Sequence, residues 1–123
     1  MTAPPKISHT EFQAQVVDLL HLLGWSHLHV RRALGKGRRM VTPTNVDGWP
    51  DLWCWHQRLG FAGIELKVPG DYPTQAQLDV LQALRTAGQG AACVVAYPDD
   101  FDRLQALLRG RGAAWPYEGR LRR

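Results

Sequence analysis

Gly48-Trp49-Pro50-Asp51-Leu52-Trp53-Cys54-Trp55-His56, then Gln57 to Gly60, then Phe61-Ala62-Gly63-Ile64-Glu65-Leu66-Lys67-Val68 reads as two strands joined by a tight turn. Asp51 to His56 is rich in aromatics, Arg58-Leu59-Gly60 makes the turn, and Pro69-Gly70-Asp71 stops the second strand. Side chains alternate along a strand. Glu65 and Lys67 therefore share one face, and Ile64, Leu66 and Val68 take the other, against helices. If the strands pair, Asp51 at the start of the first lies beside the end of the second. Two carboxylates and an ammonium then meet at one end of a hairpin.

Upstream, Ser8 to Gly24 is expected to be a helix. Ser8-His9-Thr10-Glu11 forms a capping box, and Phe12, Val16, Leu19, Leu20 and Leu23 recur on one face. A short strand over residues 25–30 follows, with Leu28 and Val30 expected to point inward. Gly35 to Gly48 reads as a long loop without apolar periodicity. Downstream, Thr74 to Gly88 is a second helix, opened by the capping box Thr74-Gln75-Ala76-Gln77 and faced by Leu78, Leu81 and Leu84. Ala91 to Tyr97 is a continuous apolar run, as in a strand buried on both sides. Asp99 or Asp100 caps a third helix with Phe101, Leu104, Leu107 and Leu108 on its core face. The order α-β-β-β-α-β-α predicts an α/β domain with a mixed sheet flanked by helices, in which the second helix crosses between parallel strands.

The 123 residues amount to one domain over 1–123, with 45% hydrophobic and 21% charged residues excluding wholesale disorder. No apolar run reaches membrane-spanning length, and Met1 to Lys6 has no apolar stretch of the secretory kind. A soluble, cytoplasmic protein is expected. Cys54 and Cys93, the only cysteines, make neither a disulfide framework nor a zinc site and read as buried small hydrophobes. The five histidines lack metal-ligand spacing.

Net charge is +4, and the positives are clustered. Arg31, Arg32, Lys36, Arg38 and Arg39 put five in nine residues with no acid, and Arg109, Arg111, Arg120, Arg122 and Arg123 put five more in the basic tail 109–123, against Glu118 alone. Such blocks suit a polyanion, because each phosphate contact releases condensed counterions. The alternative is a solvated loop and a solvated tail. Nothing in either block indicates base-edge readout, so shape and phosphate recognition are the expectation.

The hairpin end suits metal-dependent phosphodiester hydrolysis. Mg2+ takes one or two carboxylates with waters and phosphate oxygens, and it lowers the pKa of a bound water. Asp51 and Glu65 are the candidate ligands, and the Leu66 carbonyl offers another oxygen. Lys67 is placed to orient the water or to stabilise charge in the transition state.

These residues resemble the PD-(D/E)XK nuclease superfamily, with Pro50-Asp51 and Glu65-Leu66-Lys67 as the two signature halves. More narrowly, the chain is similar to the VRR-NUC (virus-type replication-repair nuclease) branch. There a Gly-x-Pro-Asp, here Gly48 to Asp51, precedes the Glu-x-Lys strand, and a Ser/Thr-x-x-Gln, here Thr74 to Gln77, opens the next helix. The resemblance spans roughly residues 8 to 108, leaving the basic loop and tail outside its motifs. It implies a restriction-endonuclease-like core. It also implies Mg2+ or Mn2+ as cofactor, products with 5′-phosphates, and site roles for Gln77 and Glu11, with Glu11 as a further metal ligand. Stand-alone members of this size act as homodimers on branched DNA, in the manner of Holliday-junction resolvases. The setting implied is a bacterial or phage-infected cell.

Bland readings stand beside these. Glu11 and Gln77 both serve as capping-box residues, and each takes a site role only if its side chain swings away from its cap. Glu65 and Lys67 also fit a salt-bridged strand face. Trp53 and Trp115 suit the buried centre of a dimer interface. Flaps, duplex ends or single strands are alternative substrates, and a DNA-binding module without cleavage is the competing function.

Overall fold

The computed structural model describes residues 6–30, 33–34, 40–41, 47–88 and 92–123. Helix α1 spans His9–Leu22. Strand β1 (Ser26–His29) follows, then the two-residue strands β2 (Ala33–Leu34) and β3 (Met40–Val41). Next come β4 (Leu52–His56), β5 (Gly60–Leu66) and α2 (Gln75–Ala87). Strand β6 (Ala92–Ala96), a 3-10 turn (Pro98–Asp100) and α3 (Phe101–Leu108) complete the order.

Four strands form one open mixed sheet in the order β1-β4-β5-β6. The β1–β4 and β4–β5 pairs are antiparallel, and β6 runs parallel to β5 as the crossover through α2 requires. Phe12, Leu20, Leu104 and Leu108 from α1 and α3 bury one face of the sheet against Leu52, Ile64, Leu66 and Val94. On the other face α2 sets Leu81 against Cys93 and Val95. β5 is thus covered on both sides, and Ala62 to Leu66 are all buried. Both cysteines are buried in the sheet, and burial pushes the Cys54 thiol up to about 12.

Three local expectations differ from the structure. Residues 33–34 and 40–41 pair as a small antiparallel ribbon where an uninterrupted loop was expected from Gly35. Leu28 points away from the core and is 54% exposed. The cause is the register. His27 pairs with Cys54 and His29 with Leu52, so the two histidines share the core side of β4. The buried Trp25, whose indole donates to the Leu108 carbonyl at 2.9 Å, sets the same parity. Finally, Asp100 precedes α3 without a side-chain cap on the helix. Its carboxylate accepts from the Tyr97 amide and pairs with Arg103 instead.

Gly48 ties the hairpin to α2. Its φ is +85°, and a Cβ there would lie 2.5 Å from the backbone carbonyl of Ala76 and 2.7 Å from the Gln77 nitrogen. Only glycine allows both the left-handed backbone and the approach. Gly48→Ala should therefore cost roughly 2–5 kcal/mol, summing backbone strain and overpacking. Urea denaturation checks this; a loss below about 1 kcal/mol would show that the contact is not a constraint.

Candidate active site

Leu52 pairs with Ile64, which brings Asp51 opposite Glu65 just beyond the start of β4. The Leu66 amide donates to Asp51 Oδ2 at 2.9 Å, and the Val30 amide donates to the Asp51 carbonyl at 3.1 Å. Asp51 therefore joins the ends of three segments. Glu65 is 2% exposed and Lys67 4%. The Lys67 amide continues the parallel pairing by donating to the Ala96 carbonyl. Its ammonium lies 3.6 Å from Glu65 Oε1 and 3.7 Å from Asp71 Oδ2. Burying these charges is tolerable because they are paired.

Gln77 closes its capping box and contacts Glu65 at once. Its Oε1 accepts from the Thr74 amide at 2.9 Å, completing the capping box, while its Nε2 donates to Glu65 Oε1 at 3.1 Å. No swing is needed, because an amide has an acceptor on one atom and donors on the other. A glutamate could close the same box but would present only acceptors to Glu65.

Glu11 is where the structure departs from the expected set. It is exposed, and its carboxylate accepts from the Ser8 amide at 3.3 Å. It is not among the residues lining the cleft at the hairpin end. The residue of α1 that reaches Asp51 is His9. Its Nε2 lies 3.2 Å from the Leu66 carbonyl and 3.7 Å from Asp51 Oδ2. Spacing alone marks no histidine as a site residue, yet His9 and Gln13, one helical turn apart, both line the cleft. That i, i+4 spacing of polar residues beside the apolar stripe was the available signal. The Asp51 carboxylate beside it raises the pKa of His9, outweighing partial burial. Burial pushes Asp51 up, but His9 beside it and the Leu66 amide help hold it below the usual carboxylate range.

The cleft has a volume of about 470 Å³ and is bordered by Asp51, Glu65, Lys67 and Asp71, by His29 at the end of β1, and by Arg122 from beyond α3. Asp71 was not in the expected set, and Arg122 was expected only as part of the basic tail. Arg31, Arg32, Lys36, Arg38 and Arg39 lie outside the described residues. No three His, Cys, Asp or Glu side chains among the described residues form a ready metal cage. The donor set nonetheless matches a hard divalent cation. Asp51, Glu65 and the Leu66 carbonyl are oxygen donors gathered at one rim, and a magnesium-type site needs only one or two carboxylates with water.

The chain matches no protein-family model, no curated protein and no solved structure.

The His9–Asp51 pair gives a pH prediction for the metal-free protein. His9 is raised above 6.5 in the folded state, so its contribution is complete below that value and is lost as pH rises through the folded pKa. Asp51 is depressed below 3.8, so its contribution is present above that value and is lost as pH falls through the folded pKa. The pair should be strongest between these limits. His9→Ala should cost more stability near pH 5.5 than near pH 8.5 in EDTA, read by thermal unfolding. An equal or reversed difference would show that the pair contributes nothing electrostatic.

Proposed function

We propose that the protein is a metal-dependent endonuclease that hydrolyses phosphodiester bonds in structured DNA, of the Holliday-junction-resolvase type. The observation that carries this is the convergence of Asp51, Glu65 and Lys67 at one rigid strand end, with the buried pair Glu65 and Lys67 opening onto a cleft. A module that only bound DNA would have no use for two acids held beside a buried lysine. Phosphate contacts alone call for cations.

Mg2+, with Mn2+ as a substitute, would be held by Asp51, Glu65 and the Leu66 carbonyl and would supply Lewis acidity and a water of lowered pKa. The chain's own groups then divide the remaining work. Gln77 fixes the orientation of the Glu65 carboxylate. Lys67 sits beside it to orient the attacking water and to offset negative charge building on the phosphoryl oxygens. Asp71 holds the Lys67 ammonium from the opposite side. Water adds to phosphorus and the bond to the 3′-oxygen breaks, leaving a 5′-phosphate and a 3′-hydroxyl. The basic segment from Arg31 to Arg39 supplies backbone phosphate contacts outside this centre.

A homodimer belongs to the same proposal, since symmetric cutting of a four-way junction needs two such sites related by a two-fold axis. Of the two aromatics expected at its interface, Trp115 is buried, with its indole donating to the Val95 carbonyl at 2.9 Å. Trp53 stacks on Phe61, and Phe61 is 49% exposed, so the interface is better sought on that face of the sheet. Sedimentation equilibrium alone and on a four-way junction tests the stoichiometry.

Asp51→Asn, Glu65→Gln and Lys67→Ala should each reduce cleavage of a four-way junction by at least about a hundredfold in Mg2+, while binding in Ca2+ persists. EDTA should stop the wild-type reaction. Near-wild-type turnover in any of the three variants would remove the assignment, and assays on flap, duplex and single-stranded DNA would define the substrate. Neutralising Arg31, Arg32, Arg38 and Arg39 should flatten the salt dependence of duplex binding by about 0.9 in log–log slope per lost phosphate contact. An unchanged slope would make that segment a solvated surface.

A further inference from the structure

The segment after α3 is a basic tail by composition, but it is built into the fold. Trp115 plugs into the sheet, and Tyr117 packs with the Leu81–Val95 cluster. The Tyr117 hydroxyl donates to the Arg120 carbonyl, and the Arg122 amide donates to the Pro73 carbonyl at 2.8 Å. The segment therefore lies alongside residues 70–73. These two stretches divide their side chains between two clefts. Asp71 and Arg122 face the hairpin-end cleft with Lys67. Tyr72 and Arg120 face a neighbouring cleft of about 430 Å³, completed by Tyr97 and Tyr117. The consecutive residues Asp71 and Tyr72 line one cleft each.

Their chemistry differs in a useful way. The first offers carboxylates, Lys67 and the Arg122 guanidinium, which enters no ion pair among the described residues. The second is lined by three phenol rings, with Arg120 stacked 5.2 Å above the centroid of Tyr72. A phosphate beside an apolar aromatic slot is the outline of a nucleotide. Aromatic faces and arginine planes stack unpaired bases without regard to sequence. A base within a duplex is already stacked and paired, and cannot enter a side slot unless it leaves its helix.

We propose that the segment 115–122 is a nucleotide-binding arm of the active site, in which Arg122 holds a DNA phosphate beside Lys67 and the Tyr72–Tyr97–Tyr117 slot takes the unpaired base attached to it. The proposal rests on the nuclease reading for its substrate, and it adds a preference for strands with an unpaired nucleotide next to the reacting phosphate. It also gives the five arginines beyond α3 unequal roles: Arg122 works at the phosphate and Arg120 at the base.

The test is equilibrium binding, which needs no cleavage. Isothermal titration calorimetry in EDTA would compare a thymidine hexanucleotide with the same hexamer lacking its bases. The wild-type protein should bind the intact hexamer roughly tenfold more tightly, the effect of one stacked base. Tyr72→Leu, which keeps apolar bulk but loses the ring, should erase the difference. Arg122→Ala should weaken both hexamers alike and lower the slope of log K against log salt by about 0.7. Thermal melts confirm that each variant is folded. Equal wild-type affinity for the two hexamers, an undiminished preference in folded Tyr72→Leu, or an unchanged salt slope in Arg122→Ala would overturn the arm. A base preference in a protein that cuts no DNA supports the arm and removes the nuclease reading. No preference in an active nuclease overturns the arm alone.

Discussion

The structure turns on one buried carboxylate. Glu65 sits at the covered centre of the sheet, 2% exposed, where an isolated charge would be prohibitively costly. Its neighbours offset that cost, and each comes from a different element. Gln77 arrives from the first turn of α2 and Lys67 from the end of β5. The Gln77 amide also closes the cap of its own helix, so the start of α2 and the position of Glu65 are set together. Gly48, pressed against the Ala76 carbonyl, fixes the approach of the Asp51 segment to the same turn. Loss of any one partner leaves the acid worse solvated and loosens the junction of hairpin and helix. The groups proposed to do chemistry are thus also the groups that lock the architecture.

Much of this was legible in the sequence because it follows from period and punctuation. The alternation in Ile64 to Val68 decided that Glu65 and Lys67 share a face, and the two capping boxes marked the starts of α1 and α2. What stayed hidden depends on register and on long-range approach. Leu28 was assigned inward from its apolarity, but pairing with β4 places His27 and His29 on the core side. Glu11 and His9 are two residues apart on one helix, and only the packing of α1 decides that His9 reaches Asp51. A capping role for Gln77 does not exclude contact with Glu65, since one amide carries both an acceptor and a donor. Arg122 is far from the motifs in sequence, and no local pattern announces that it returns to the cleft.

Together these features describe a site with a graded interior. At its base the acids and Lys67 are locked by mutual pairing. At its rim His9 and Arg122 are more exposed, a pairing-competent imidazole on one side and a guanidinium on the other. Preorganised charge at the base suits a reaction whose charge changes at a fixed phosphorus. Cations nearer the solvent suit the capture of a flexible polyanion, whose attraction is long-ranged and salt-dependent. Under the proposed function, the hairpin end would do the chemistry and the basic segments the capture.

The central claim is that the Asp51–Glu65 rim is a divalent-cation site. Crystals grown with Mn2+ and measured near the manganese absorption edge test it most directly. The account predicts an anomalous peak in contact with the Asp51 and Glu65 carboxylates and the Leu66 carbonyl, and its loss in Glu65→Gln. A rim that stays empty at saturating Mn2+, or a peak that survives in Glu65→Gln, would contradict it.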